Sequence, residues 1–347
     1  MCTLVHETLE FVSIRDDQAH EAASMCYLQG QTMETIAHYL GVSRSSVSRL
    51  LSYAREVGLV RISVAAMPGT RDTLAGRLED LFGVHTWVVP VRAVDTEVNR
   101  LHNVAQVAAE RLVELMEPGA TLGIAWGNTT AEVARLLPRV PMPHSTVVQL
   151  NGAANATQQG LPYADEIISK AAEAFGSRVV SFPVPAFFDF ADTKEALWRE
   201  RSIRAVLDVI DSTSVALFGV GALDANLPSH VYSGGFLSTE EIQGAKADGV
   251  VGDVCTVLIR EDGSTNMPLN LRASGPTPDQ LKRIPKRLCV VPGASKALPL
   301  MGALRSGVIT DLVLDDGAAR KLLELARNRP VPTRPRHPIS SVPHQKG

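Results

Sequence analysis

The chain has 347 residues and a formal net charge of −3, with 45% hydrophobic and 20% charged residues. That length exceeds one average domain and that composition buries real cores, so wholesale disorder is excluded and two or more folded units are predicted. A weakly acidic whole-chain field requires any nucleic-acid surface to be a local basic patch. The longest apolar run, Val215 to Leu223, is about half of the ~20 residues a membrane span needs. Glu7, Glu10, Asp16 and Asp17 at the start do not fit a basic-then-apolar leader. A cytoplasmic protein with no membrane partner is therefore expected. Cys2, Cys26, Cys255 and Cys289 have no metal or redox spacing and the nine histidines form no cluster, so no metal, no cofactor and reduced, mostly buried thiols are expected.

In chain order, the first sixteen residues give no firm pattern, and a helical pattern runs from Asp17 to about Tyr53, broken at Gly30 and Gly41. Within it, Thr32 to Leu51 has the spacing of a helix-turn-helix. Ala37 is small where two helices cross, and Gly41, four residues on, tolerates the positive φ of the turn. Ile36, Leu40, Val42, Val47 and Leu50 fall on the faces that must be buried. Ser43 is a good N-cap for the second helix, and Ser43, Arg44, Ser45, Ser46, Ser48 and Arg49 form its outward first turns. Short hydroxyls allow close approach to the major groove, and arginine can grip guanine or phosphate. From Gln31 to Arg61 four arginines face two acids, a local +2 in a chain that is net −3. The β-like run Leu59 to Val64 is expected as a wing, with Arg55 and Arg61 near the phosphates. DNA binding follows, and His38 is expected on the surface or on the phosphate side.

Met67-Pro68-Gly69-Thr70 reads as a linker, giving a DNA-binding domain over 1–66 and a second domain over 67–330. The second alternates short apolar strands with amphipathic helices, the pattern of a parallel α/β sheet. One helix is predicted over Val104 to Met116, and strands over Thr121–Ala125, Thr146–Leu150, Val179–Phe182, Val215–Val220, Thr256–Ile259 and Leu288–Val291. Residues 331–347 hold four prolines, three cations and no acid, and are expected to be a disordered tail.

Gly123 to Thr130 reads as strand, tight loop and helix start, where free N–H groups and the helix dipole favour an anion. Gly127 allows close backbone approach and the Thr129 and Thr130 hydroxyls could add two donors, or the segment could be an ordinary strand-to-helix turn with Asn128 or Thr129 as its cap. Lys296 follows Pro292-Gly293-Ala294-Ser295 at the end of another strand, where open α/β sheets bind ligands, though a solvated lysine would fit there too. Asn151 and Gly152 follow a third strand and should line the same crevice. Asp165 and Asp253 are carboxylates able to accept from vicinal hydroxyls or to cap local backbone. Trp126 is expected to pack in the core.

Together these segments resemble the SorC family of sugar-responsive bacterial transcriptional regulators, from about residue 19 to 328. The closest stretches are Ser43 to Leu51, Ala54 to Val60, Gly123 to Thr130 and Pro292 to Lys296. The resemblance implies an α/β protein: an N-terminal helix-turn-helix of winged-helix type, then a Rossmann-like effector domain related to glucosamine-phosphate deaminase and ribose-phosphate isomerase. It also implies a phosphorylated sugar or polyol as effector and a homodimer or homotetramer on double-stranded operator DNA. Some relatives carry a reactive lysine after the third strand; Ala153, Ala154 and Asn155 stand here, so non-covalent binding is expected. The alternative, a sugar-phosphate isomerase or deaminase carrying a DNA-binding domain, needs a general base. Asp224 is the nearest candidate and His230 a second, but the deaminase's glycine-histidine-phenylalanine continuation is missing after Asp224.

Overall fold

A computed structural model describes residues 15–57, 59–60, 73–92, 94–155, 160–224 and 229–328. The expected tail and Arg61, with most of the expected wing, lie outside the described residues. The chain divides into two compact units, Met1–Gly69 and Thr70–Gly347.

In the first unit, α1 spans residues 15–28 and its last turn, Ser24–Leu28, widens to a π-helix. Helices α2 (Met33–Leu40) and α3 (Arg44–Glu56) follow. Each of the last two starts on a hydroxyl cap: Thr32 Oγ1 accepts the Thr35 N–H and Ser43 Oγ the Ser46 N–H. Gly41 ends α2 at φ 63°, ψ 31°, the left-handed conformation expected of it. The core is Ala19, Ala22, Ile36, Val47, Leu50, Leu51 and Ala54, with Ala37, Leu40 and Val42 packed against it. Tyr53 of α3 donates to Asp16 of α1 at 2.7 Å. His38 is exposed.

The second unit is built on a seven-stranded parallel sheet of order β1-β10-β9-β5-β2-β3-β4. These strands are β1 (His85–Val89), β2 (Thr121–Ile124), β3 (Thr146–Gln149), β4 (Arg178–Val180), β5 (Val215–Phe218), β9 (Lys286–Val291) and β10 (Asp311–Asp315). Successive residues serve opposite faces. Val147, Leu217, Val290 and Val313 pack under α5 (Glu97–Leu115), α6 (Asn128–Leu136) and α7 (Gly160–Phe175). Val148, Phe218, Val291 and Leu314 pack on the other side, with α4 (Leu74–Phe82), α9 (Arg201–Asp211), α13 (Ala297–Ser306) and α14 (Asp316–Asn328). Shorter helices α8 (Ala191–Leu197), α10 (His230–Ser233), α11 (Thr239–Ala247) and α12 (Pro278–Arg283) lie in the connections.

Three expectations change. The helix predicted from Val104 begins seven residues earlier, at Glu97, because Thr96 Oγ1 caps it by accepting the Asn99 N–H. Strands β1 and β10 were not anticipated. The segment expected as the strand Thr256–Ile259 of the parallel sheet is instead β8 (Val257–Arg260), in an antiparallel sheet with β6 (Gly221–Ala222) and β7 (Val250–Val254). Cys255 and Thr256 form the two-residue turn between β7 and β8, both at positive φ (49° and 68°), as a hairpin turn of this length requires. A β-branched residue is rarely held there.

Candidate functional site

On the first unit, capping decides which way α3 presents its side chains. Ser43 Oγ also meets Ser45 Oγ at 2.8 Å and Ser46 Oγ at 2.9 Å, so the cap is a hydroxyl cluster. Ser43, Arg44, Ser45, Ser48 and Arg49 are exposed and Ser46 is half-buried. Arg49 donates to Ser46 Oγ at 3.2 Å, and Arg44 lies 3.6 Å from Glu34, a solvent-exposed pair of little energetic weight. Arg55 folds back on its own helix, donating to the Leu51 carbonyl and Ser52 Oγ.

On the second unit, the sheet order reverses between β2 and β5: the chain steps from β2 to β3 and β4 on one side, then from β5 to β9 and β10 on the other. A crevice opens at the carboxyl ends of strands where such a reversal occurs. Here it is a cavity of about 540 Å3, counting its open mouth. Residues 125–130 line it from β2 and α6, Asn151 from β3, and residues 219–221 from β5 and β6. Asp253, Cys255 and Thr256 line it from the β7 hairpin, residues 229–231 from α10, and Lys296 from the turn after β9.

Helix α6 has no side-chain cap: Gly127 precedes it in extended conformation, and neither Asn128 nor Thr129 takes the capping role that the sequence left open. Thr130 donates to the Gly127 carbonyl at 3.0 Å, tightening the turn, and Asn128 accepts from the Tyr163 hydroxyl at 3.0 Å. Thr129 is buried, with its Oγ1 3.5 Å from Lys296 Nζ. Burial pushes the Lys296 ammonium below its ordinary pKa, while Asp253 and Glu97 act the other way. The turn that carries Lys296 (Ala294–Lys296) starts at Gly293, φ 93°, whose N–H is held by the fully buried Asp315 carboxylate. Asp315 also accepts from the Ala318 N–H at 3.0 Å and from Arg100 at 3.3 Å. One carboxylate thus anchors the lysine turn to α14 and α5.

Opposite stands Asp253, 4% exposed. Its Oδ2 accepts the Thr256 N–H at 3.1 Å across the hairpin turn, while Oδ1 has no well-formed hydrogen bond among the described residues. Burial raises its pKa to about 6 against the opposing pull of Tyr232, the Thr256 N–H and Lys296. Tyr232 Oη is buried beside this carboxylate without a well-formed hydrogen bond among the described residues, and burial with the neighbouring carboxylate drives its pKa upward. The carboxylate fits only because residue 221 is glycine: a Cβ there would sit 1.7 Å from Asp253 Oδ1. Asn151 is 1% exposed, and its Oδ1 is also without a partner. The cavity therefore combines a desolvated cation, a hydroxyl on an uncapped helix turn and two buried polar side chains, Asn151 and Asp253, an arrangement suited to a hydroxylated anion.

Of the effector residues proposed from sequence, Gly127, Asn128, Thr129, Thr130, Asn151, Asp253 and Lys296 come together here. Gly152 and Asp165 do not line the cavity. Gly152 donates its N–H to Ser274 Oγ at 2.9 Å and accepts from Trp126 Nε1 at 2.8 Å, and a Cβ would meet the Val184 and Pro185 carbonyls at 2.4 Å; it is a close-packing position. Asp165 is exposed on α7 and accepts from Ser181 at 3.0 Å. Cys255, Thr256, Tyr232, Gly221 and Asp315 were not legible as site residues; only the glycine doublet spacing Gly219, Gly221 hinted at a close approach. His230, read from sequence as a loop residue, is half-buried in the cavity wall.

A family model described as "Putative sugar-binding domain" matches residues 69–324, and the model for region 4 of sigma-70 matches residues 16–57. The chain belongs to the SorC family of sugar-binding transcriptional regulators. It is 30% identical over 319 residues to the transcriptional regulator YjhU of Escherichia coli, covering 89% of this chain and 94% of that one. It is 29% identical over 305 residues to the deoxyribonucleoside regulator of Bacillus subtilis, covering 87% and 96%. Among solved structures, a domain of a possible sugar-binding transcriptional regulator from Arthrobacter aurescens is similar at 43% identity and TM-score 0.69, covering 75% of this chain and all of that one. The full-length sorbitol operon regulator of Klebsiella pneumoniae shares the fold at TM-score 0.66 and 23% identity, covering 89% and 99%. This SorC-family protein is thus a DNA-binding transcriptional regulator with a sugar-binding domain. Among the described residues no helix is long and apolar enough to cross a membrane.

Proposed function

We propose that the effector of this regulator is a small phosphorylated sugar or polyol held in the cavity at the carboxyl ends of β2, β3, β5 and β9, and that its binding sets the affinity of α3 for operator DNA. One observation carries this reading: Lys296, with its Nζ 3.5 Å from the Thr129 hydroxyl at the α6 turn, lines one cavity with Asn151 and Asp253. An anion at the α6 turn gains the helix dipole and the lysine charge together. Ligand hydroxyls would then donate to these two buried side chains. In the other unit, Ser43, Arg44, Ser45, Ser46, Ser48 and Arg49 enter the major groove, while Arg55 and Arg61 serve the phosphates. One such module buries a modest area, so a homodimer or homotetramer on repeated half-sites completes the reading.

The experiment is a thermal-shift panel of phosphorylated sugars and polyols beside their unphosphorylated counterparts, followed by operator binding with each stabilising compound. A ligand that prefers one conformation must alter both stability and DNA affinity. The expected result is a phosphate-dependent stabilisation and, at a coupling of ~1–3 kcal/mol, a roughly 5- to 150-fold change in operator affinity. Stabilisation by unphosphorylated sugars alone, or none by any member, refutes the phosphorylated effector. Turnover of ribose 5-phosphate or glucosamine 6-phosphate would refute the reading as a sensor.

A further inference from the structure

His230, the first residue of α10, lines the cavity wall and has no role in the reading above. Its imidazole is held edge-on in a nest of rings. Trp126 lies 6.0 Å away at 86°, Tyr163 5.4 Å at 64° and Phe236 5.7 Å at 78°, and Trp126 itself stacks on Phe236 at 4.9 Å. Three contacts from separate elements fix the ring plane, yet neither ring nitrogen is hydrogen-bonded among the described residues. A half-buried imidazole with its orientation set and its polar atoms unused is arranged for a partner that comes and goes.

The connections of the nest locate that partner. Tyr163, which touches the His230 ring, donates its hydroxyl to Asn128 Oδ1 at 3.0 Å. Asn128 is exposed and opens α6; the next residue, Thr129, is buried and meets Lys296. The first turn of α6 is thereby bracketed, with Lys296 on its buried side and the ring nest on its solvent side. The turn does not stand alone as a site, since Asn151, 1% exposed and with no hydrogen bond to its Oδ1 among the described residues, lines the same cavity.

We propose that His230 is the second side-chain contact for an anionic group at the α6 turn, its imidazole N–H donating to an anion oxygen from the side opposite Lys296. This rests on the reading that an anion occupies that turn, and it adds to it a residue that selects for the anion at the mouth. Trp126, Tyr163 and Phe236 are then positioning residues that hold the donor.

Inorganic sulfate is the probe, because its charge is constant between pH 5.5 and 8 and its binding reports only on the protein. With the full chain, sulfate binding is measured by titration for wild type, His230→Phe, which keeps a ring in the nest, and His230→Gln, which keeps an N–H donor. The expected result is a loss of roughly tenfold in His230→Phe, the effect of deleting one hydrogen bond to a charged group, and a smaller loss in His230→Gln. In wild type followed by NMR at fixed pH, the His230 imidazole resonances shift saturably as sulfate is added. His230→Phe binding sulfate like wild type, or imidazole resonances that do not move, overturns the proposal. The NMR arm decides it even if a variant does not fold. Lys296→Ala separates the two readings: if it abolishes sulfate binding while His230→Phe does not, the anion site stands and the histidine contact falls; if wild type binds no sulfate, both fall.

Discussion

Replacing Asp253 by Asn should make the protein more stable and less responsive. The carboxylate is 4% exposed and its pKa is raised from 3.8 to about 6, chiefly by burial. A group whose folded pKa is raised binds its proton more tightly when folded, so its favourable share is present below pH ~4 and disappears as pH rises through ~6. Above that pH the folded protein holds an unfavourable buried charge. The shift of about two units corresponds to roughly 3 kcal/mol at 1.36 kcal/mol per unit. Asparagine keeps the shape and an oxygen able to accept the Thr256 N–H, without the charge. Urea unfolding at pH 5 and pH 8 is the assay. The variant should exceed wild type by up to about 3 kcal/mol at pH 8, with the difference shrinking toward pH 4. Under the proposed function, any sugar phosphate that stabilises wild type should bind the variant more weakly, because a strong acceptor for ligand hydroxyls has been replaced by a neutral one. Equal stability of the two proteins at pH 8 would refute the argument that Asp253 is held charged at a cost for the sake of its ligand.

Other outcomes test separate parts. Arg49→Ala should weaken operator binding by about 1–3 kcal/mol, measured by fluorescence anisotropy, while leaving the effector's thermal shift intact; unchanged operator affinity removes Arg49 from the interface. Thr129→Val combined with Lys296→Ala should abolish the effector's influence on operator binding and preserve basal binding, and persistence of the full response would put the effector elsewhere. Gly221→Ala brings a methyl to 1.7 Å from Asp253 Oδ1, so a loss of roughly 1–3 kcal/mol in thermal unfolding is expected from the forced displacement of the hairpin; a neutral substitution would contradict the β6–β7 register.

The DNA-reading element was legible in the sequence because everything that specifies it is local. The caps Thr32 and Ser43, the left-handed Gly41 and the apolar positions from Ile36 to Leu50 lie within twenty residues and act through turns of the same two helices. The α/β alternation and the anion-favouring turn after β2 were legible for the same reason: strand, glycine and helix start are contiguous. The position of Lys296 in the cavity wall was legible because it follows a strand, and such sheets open their crevices at strand ends.

What tertiary structure decided is which distant pieces meet. His85 pairs with Asp311 across more than two hundred residues, and no local pattern in either strand names its partner. Val257–Arg260 has the composition of a strand in either kind of sheet; only the Cys255–Thr256 turn, made without glycine, folds it antiparallel against β7. Side-chain burial is a property of the assembled layers. Asp253 becomes a buried charge, Asp165 an exposed one and His230 a ring fixed by three others only when hairpin, helix and loop pack together, which is why chemistry readable in residue type alone was assigned its place by the fold.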